Sequence, residues 1–212
     1  MYIPEHFQES RAEMMHRLIA EYPLGTLVTL GPDGIIANHI PFLLDTTSGP
    51  SGRLIGHVAR NNTLWHQHDP DTEVLVVFQG ASAYISPNWY ATKQETRQVV
   101  PTYNYAVVHA YGPLLVHEDA RWLRAVVGKL TKRMEMDQPT PWKMADAPSG
   151  YLNERLSEIV GIEIPVSRMI GKWKLSQNRA VSDRRGVVTG LRSTGSPADG
   201  EMADWVEETL HT

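Results

Sequence analysis

Residues 24–44 carry a hairpin in their hydrophobic pattern, and this narrows the possible folds more than any other feature of the chain. Leu24, Thr26, Val28 and Leu30 recur at every second position, the period of a strand with one face buried. Pro32-Asp33-Gly34 follows, turn chemistry that reverses the chain, and residues 35–44 resume as a second strand. Further strands are predicted over 54–59 and 73–78, with 83–85 beginning another. A long strand over 103–116 bends near Gly112-Pro113, and 161–175 reads as a last strand or strand pair with Pro165 at an edge or bulge.

Helices are inserted between these blocks. Ser10-Arg11-Ala12-Glu13 has the form of a capping box, and Met14, Met15, Leu18, Ile19 and Tyr22 continue at helical spacing until Pro23 and Gly25 end the run. Glu118 or Asp119 opens a helix with Trp122, Leu123, Val126, Val127, Leu130 and Met134 on its apolar face. Residues 139–148 read as a linker before a shorter helix carrying Leu152, Leu156 and Ile159. A helix over 181–191 is weakened by Gly186 and Gly190. Residues 193–200 are flexible by composition, and Met202, Trp205, Val206 and Leu210 form an amphipathic stripe in the tail. Strands in hairpin succession with helices between blocks predict an α+β fold, an antiparallel barrel with peripheral helices, and not a doubly wound parallel sheet.

At 212 residues, 42% hydrophobic and 21% charged, the chain is long enough to bury a core without metal or disulfide support. A net charge of −4 gives no support to non-specific nucleic-acid binding, which cationic surface drives. Cysteine is absent, which removes disulfides, thiolate metal sites and cysteine nucleophiles and agrees with a reducing compartment. The opening Met1-Tyr2-Ile3-Pro4-Glu5-His6-Phe7 has no basic-then-apolar signal pattern. The apolar run 74–78 is far shorter than the ~18 residues of a membrane span. A cytoplasmic location is expected.

Dinucleotide-binding, Walker and Gly-x-Ser-x-Gly motifs are missing, as is a helix-turn-helix with a basic recognition helix. His66-Gln67-His68-Asp69 invites a metal reading. In a helical turn, however, the two imidazoles diverge by about 200°, and a third ligand is needed. Capping and surface roles suit the motif better, so no metal site is expected.

Seven motifs in order carry a family resemblance. They are the N-terminal seven residues, Asn38-His39-Ile40-Pro41-Phe42, Gly56-His57-Val58-Ala59-Arg60-Asn61, Ala83-Tyr84-Ile85-Ser86-Pro87-Asn88-Trp89-Tyr90, Val100-Pro101-Thr102-Tyr103-Asn104-Tyr105 leading into Val108-His109-Ala110-Tyr111-Gly112, Ile159-Val160-Gly161-Ile162-Glu163-Ile164, and Gly171-Lys172-Trp173-Lys174-Leu175-Ser176-Gln177-Asn178-Arg179. Together they resemble the PaiB-type FMN-binding negative transcriptional regulators, over roughly residues 1–192. The departures are Tyr103 in place of tryptophan and Gln79-Gly80-Ala81 in place of a Gly-Pro step, which puts only a loop in doubt. The resemblance implies an FMN-binding split β-barrel, shared with pyridoxamine phosphate oxidases, over 1–192; the tail 193–212 lies outside it, and its amphipathic stripe predicts a short docked helix. The resemblance also implies a homodimer with FMN at the subunit interface. Trp122, Trp173 or the tail around Trp205 are candidates for the apolar surface of that dimer.

FMN needs cations and donors for its phosphate and flat apolar surface for its ring. Arg60, Asn61 and Asn62 directly after a strand supply a guanidinium fork and amides, and the resemblance places a basic residue of this strand end at the phosphate. The same resemblance puts Asn38, His39 and Ile40 beside the flavin ring; the competing reading of His39 is a hydrogen-bonded strand histidine. Trp89 and Lys93, with Tyr90, either cover the ring or simply pack. Tyr103 and Asn104 fall near the cofactor in the family. Lys174, Ser176 and Gln177, within a donor run that includes Lys172 and Asn178, either meet a flavin across a dimer interface or form a solvated strand face.

No catalytic residue stands out, and flavin chemistry needs no carboxylate pair. Three functions follow. The first is an FMN-binding regulator acting without a helix-turn-helix, through a flavin-dependent signal or a partner protein, with direct DNA binding left open. The second is an FMN-dependent oxidoreductase for a small substrate or reduced nicotinamide. The third is a flavin-free scaffold.

Overall fold

A computed structural model describes residues 1–49 and 51–211. In chain order, β1 (Gln8–Glu9) leads to α1 (Ala12–Glu21), β2 (Leu24–Gly31), β3 (Gly34–Pro41), β4 (Leu43–Asp45), β5 (Arg53–Ala59) and the single turn α2 (Leu64–Gln67). Then come β6 (Val74–Ile85), α3 (Lys93–Thr96), β7 (Thr102–Gly112), β8 (Leu115–His117), α4 (Ala120–Glu135) and α5 (Ser149–Ser157). β9 (Ile159–Pro165), β10 (Arg168–Lys174), α6 (Val181–Ser193) and α7 (Pro197–Glu208) complete the chain. Every pairing with a resolved register is antiparallel. The fold is the α+β antiparallel split β-barrel with peripheral helices that the pattern predicts. Among the described residues no helix is long and apolar enough to cross a membrane.

Two compact units divide the chain, and their boundaries fall inside α1, β6, β7 and β10. One unit comprises residues 19–78 and 109–169. Its hairpin pairs Leu24 with Pro41 through to Gly31 with Gly34. Gly34 takes φ 105°, which an L side chain resists, so the predicted turn is where the sequence puts it. β2 also pairs with β6, Leu27 opposite Val76. The second sheet of this unit runs β4-β5-β9-β8. Helix α4 covers it, and Val126 and Leu130 pack on Ile55 with Leu43 and Trp122 at the margin. Gly161 on β9 is where Trp122 crosses: an added Cβ would lie 2.1 Å from the indole ring. Trp122 also stacks on His117, centroids 4.0 Å apart.

The other unit comprises 1–18, 79–108 and 170–212, with strand order β1-β10-β7-β6. Gln8 pairs with Lys172 and Glu9 with Gly171. Helices α6 and α7 bury Val187, Leu191, Met202, Ala203 and Val206 completely. The tail's apolar stripe is therefore docked, and its helix starts at Pro197, inside the stretch expected to be flexible. The Ser196 hydroxyl accepts the Asp199 N–H and starts that helix.

Three local expectations are corrected. Residues 79–81, expected to form a loop, lie in the middle of β6, where Gly80 admits the Trp205 ring at 2.7 Å from its absent Cβ. The two glycines thought to weaken α6 are there for a neighbour: a Cβ at Gly186 would meet the Trp89 carbonyl at 1.9 Å, and one at Gly190 the Trp89 ring at 2.2 Å. At the start of α1 the side chain in use is Glu9, whose carboxylate accepts the Arg11 N–H at 2.8 Å and pairs with its guanidinium at 2.6 Å.

Candidate functional site

In the unit that contains β2–β5, the end of β5 turns into α2 beside β3. Asn62 ties the two together: its Oδ1 accepts the Leu64 N–H at 3.0 Å, and its Nδ2 donates to Asn38 Oδ1 at 2.9 Å. This relay fixes the orientation of both amides, because each oxygen already faces a donor. It leaves Asn38 Nδ2 buried with no hydrogen-bond partner. A buried donor without an acceptor costs about 1–3 kcal/mol, and a ligand oxygen or ring nitrogen would relieve it. His57 Nδ1, on β5, is likewise buried and unpartnered, and burial lowers the His57 pKa from its usual value. The neighbours on β3 alternate as a strand requires: His39 is exposed and Ile40 is 4% exposed.

Arg60 is more committed than its position after a strand suggests. Its Nε donates to the Ser157 carbonyl at 2.8 Å, Nη2 to the Ile159 carbonyl at 3.1 Å, and Nη1 to Glu118 at 2.7 Å. Its own carbonyl accepts the Trp65 indole N–H at 2.9 Å. These bonds close the end of α5 onto β9 and leave two guanidinium N–H groups for anything else. Asn61 is exposed. The orphan Asn38 amide and the Asn62 amide beside it suit the polar edge of a flavin nucleotide, whereas the Arg60 guanidinium opens on a cavity lined by Glu118, Leu123, Arg124, Asn153 and Leu156.

The remaining predicted residues lie in the other unit. Trp89 is half-buried against α6, and Lys93 donates from its ammonium to the Asn88 side chain. Their segment is pinned by Asp183, 2% exposed, which accepts from both the N–H and the hydroxyl of Thr92 at 2.9 Å. Tyr103 is 58% exposed and meets Tyr84 edge-on, centroids 5.9 Å apart. Asn104 is fully buried and donates to the Ser176 hydroxyl at 3.0 Å, with Ser176 in the left-handed region at φ 66°. Gln177 folds back on its own strand end, accepting the Leu175 N–H and donating to the Trp173 carbonyl, both at 2.7 Å. Lys174 donates to Thr102 and to the Tyr103 carbonyl. Lys172 and Ser176 are buried and Lys174 is half-buried, so this run is not a solvated face.

Asn104, Lys174 and Ser176 line a cavity of about 140 Å³ together with Arg179, Tyr90 and Thr102. Arg179 has no role in the sequence reading, and Tyr90 is expected there only to cover the ring or to pack. The cavity gathers segments near positions 7, 90, 102 and 176, and no local pattern announces such an assembly. Burial, then the positive charges of Lys172 and Arg179, lowers the Lys174 pKa from its ordinary value. The three tryptophans considered for a dimer surface are used inside the units: Trp122 on Gly161, Trp205 on Gly80, and Trp173 at 8% exposure.

Residues 1–168 match the sequence model of the family described as "Putative FMN-binding domain". The chain is 33% identical over 211 residues to the "Protease synthase and sporulation protein PAI 2" of Bacillus subtilis, covering 99% of this chain and 98% of that protein. An uncharacterized protein of Emericella nidulans is 33% identical over 243 residues, covering 98% of this chain and 97% of its own. Among solved structures, the flavocytochrome Anf3 of Azotobacter vinelandii superposes with TM-score 0.59 at 8% identity, over 81% of this chain and 72% of that one. A conserved hypothetical protein of Mycobacterium tuberculosis gives 0.57 at 13%, over 85% and 94%. The last two establish the fold alone. The chain belongs to the PaiB-type FMN-binding family, and FMN is the cofactor that membership assigns it.

Proposed function

We propose that the protein is a cytoplasmic FMN-binding regulator of the PaiB type, working as a homodimer with the flavin at the subunit interface. The observation that carries the flavin placement is the buried, unpartnered Asn38 Nδ2 beside Asn62. Asn38 and Asn62 would hold acceptor atoms of the nucleotide. Asn61, exposed after β5, would meet its phosphate, with the β3 backbone at His39 and Ile40 bordering the ring. When bound, FMN supplies reversible two-electron chemistry through its own ring.

The regulatory role is supported by the full-length similarity to the Bacillus subtilis protein, whose name refers to protease synthesis and sporulation. With a net charge of −4, control through a flavin-dependent signal or a partner protein fits better than direct DNA contact. The exposed pair Tyr84 and Tyr103, with Val100 at 64% exposure, offers apolar surface for the dimer. The test is titration of flavin-free protein with FMN, read by quenching of flavin fluorescence, alongside light scattering for the dimer. Saturable one-to-one binding supports the reading, and unquenched FMN at every concentration refutes it. A second reading, an oxidoreductase, is favoured by the small cavity around Lys174. Turnover of reduced nicotinamide by flavin-loaded protein would establish it, and a flat assay would leave regulation alone.

A further inference from the structure

The unit formed by residues 1–18, 79–108 and 170–212 holds three cations that no carboxylate neutralises. Lys172, Lys174 and Arg179 make no ion pair with Asp or Glu among the described residues. What they have instead is aromatic faces and neutral oxygens. Lys174 Nζ lies 6.0 Å from the Phe7 ring centroid, Lys172 Nζ 5.2 Å from that of Tyr105, and the Arg179 guanidinium 4.9 Å from that of Tyr90. Lys172 donates to the Tyr2 carbonyl at 3.2 Å. Cation–π contacts and carbonyls compensate only part of the cost of gathering like charges away from water. Burial and its two positive neighbours lower the Lys174 pKa, the sign of a group whose charged form lacks a counter-charge.

Lys174 and Arg179 both face the 140 Å³ cavity. Its polar lining is otherwise made of donors or donor-acceptors, namely Thr102, Asn104, Ser176 and Asn178, and it contains no carboxylate. The Tyr90 ring, 2% exposed, completes the wall with the Arg179 guanidinium over it, and its hydroxyl makes no hydrogen bond of full geometry. Pockets for drug-sized ligands run to about 300–1,000 Å³. This one has room for a single oxyanion group on a short stem and not for a tricyclic flavin.

We propose that this cavity binds the anionic group, phosphate or carboxylate, of a small molecule other than FMN, with Lys174 and Arg179 as its counter-charges. FMN carries one phosphate, which the proposed function assigns to Asn61 beside the Asn38–Asn62 pair, so the ligand here is a second molecule. The inference rests on that reading only for the word "second"; the cations and the cavity stand without it. A lysine ammonium and a guanidinium fork sharing a lining with hydroxyl and amide groups suit a tetrahedral or planar oxyanion. Such a ligand is either the substrate of the bound flavin or the metabolite whose level the protein senses.

Calorimetric titration of the flavin-loaded dimer with inorganic phosphate, and separately with acetate, tests this. One saturable site per chain is expected for at least one of them, weakened tenfold or more in K174M and in R179Q, with flavin absorption retained in both. R179Q covers the case in which K174M does not fold. Absence of saturable binding of either anion, or wild-type affinity in both variants, overturns the proposal. A competition in flavin-free protein separates the remaining possibility. If FMN expels phosphate and riboflavin does not, the cavity holds the flavin's own phosphate and the second-ligand assignment falls. N38D serves as the independent control: loss of FMN with phosphate binding intact supports both readings, unchanged FMN affinity fails the flavin placement alone, and loss of phosphate binding overturns the separate anion site.

Discussion

Trp89 lies on the face of α6 at Gly190, so close that a single added carbon would sit 2.2 Å from its ring. Alanine in place of glycine favours a helix by up to about 1 kcal/mol, yet overpacking of this kind costs about 1–3 kcal/mol. We expect G190A to lower stability by about 1–2 kcal/mol, read as a lower urea midpoint at constant slope. In a W89A background the same change should become neutral or stabilising. A stabilised G190A with Trp89 in place would contradict the contact.

Asp183 offers a second handle on the same segment. Its nearly fully buried carboxylate accepts both Thr92 donors. Removing it orphans those donors, so D183A should cost about 1–3 kcal/mol and free the turn around α3. Limited trypsin digestion would report this as faster cleavage at Lys93 and Arg97. An unchanged digestion pattern would mean that other contacts hold the turn.

For the flavin corner, N38D is the informative change. The aspartate still accepts from Asn62 but no longer donates, and the donor is the atom argued to meet FMN. Loss of such a hydrogen bond corresponds to about a tenfold or larger rise in the dissociation constant. Fluorescence quenching measures it, and an unaltered affinity would remove Asn38 from the site.

Acid should act through Asp45. Hydrogen bonds from Thr47, then from Arg53, lower its pKa to about 2 from 3.8. The folded value is the depressed one, so this stabilisation is complete above 3.8 and fades as pH falls towards about 2. Wild type should therefore exceed D45N in urea midpoint at pH 6, and the gap should close as pH drops from 4 to 2. A gap independent of pH would point to lost geometry and not lost charge.

Much of the scaffold was legible because it is local. Pro32-Asp33-Gly34 marks its own turn, and the α4 stripe buries Leu123, Val126 and Leu130 as spaced, although Met134 at its end stays 45% exposed. Gly80, Gly186 and Gly190 misled because their reason lies elsewhere in the chain, in Trp205 and Trp89. The donors Asn38 and Asn62 were visible, but not the relay that leaves the Asn38 amide nitrogen without an acceptor. Arg60 read as a free cation because Ser157 and Ile159, whose carbonyls it holds, are about a hundred positions away. Lys174 could be seen as a donor. That it shares a cavity with Arg179 and Tyr90 depends on three-dimensional closure, which spacing does not encode.

Ser176 adopts a twist that glycine would take without complaint. Exchanging it for glycine would ease the torsion and at the same stroke strip Asn104, sealed from water, of its companion oxygen. The two demands pull in opposite directions at one atom's distance. The best-tolerated replacement should be the one that keeps a hydrogen-bonding side chain while accepting positive φ, which is asparagine and not the smaller residue.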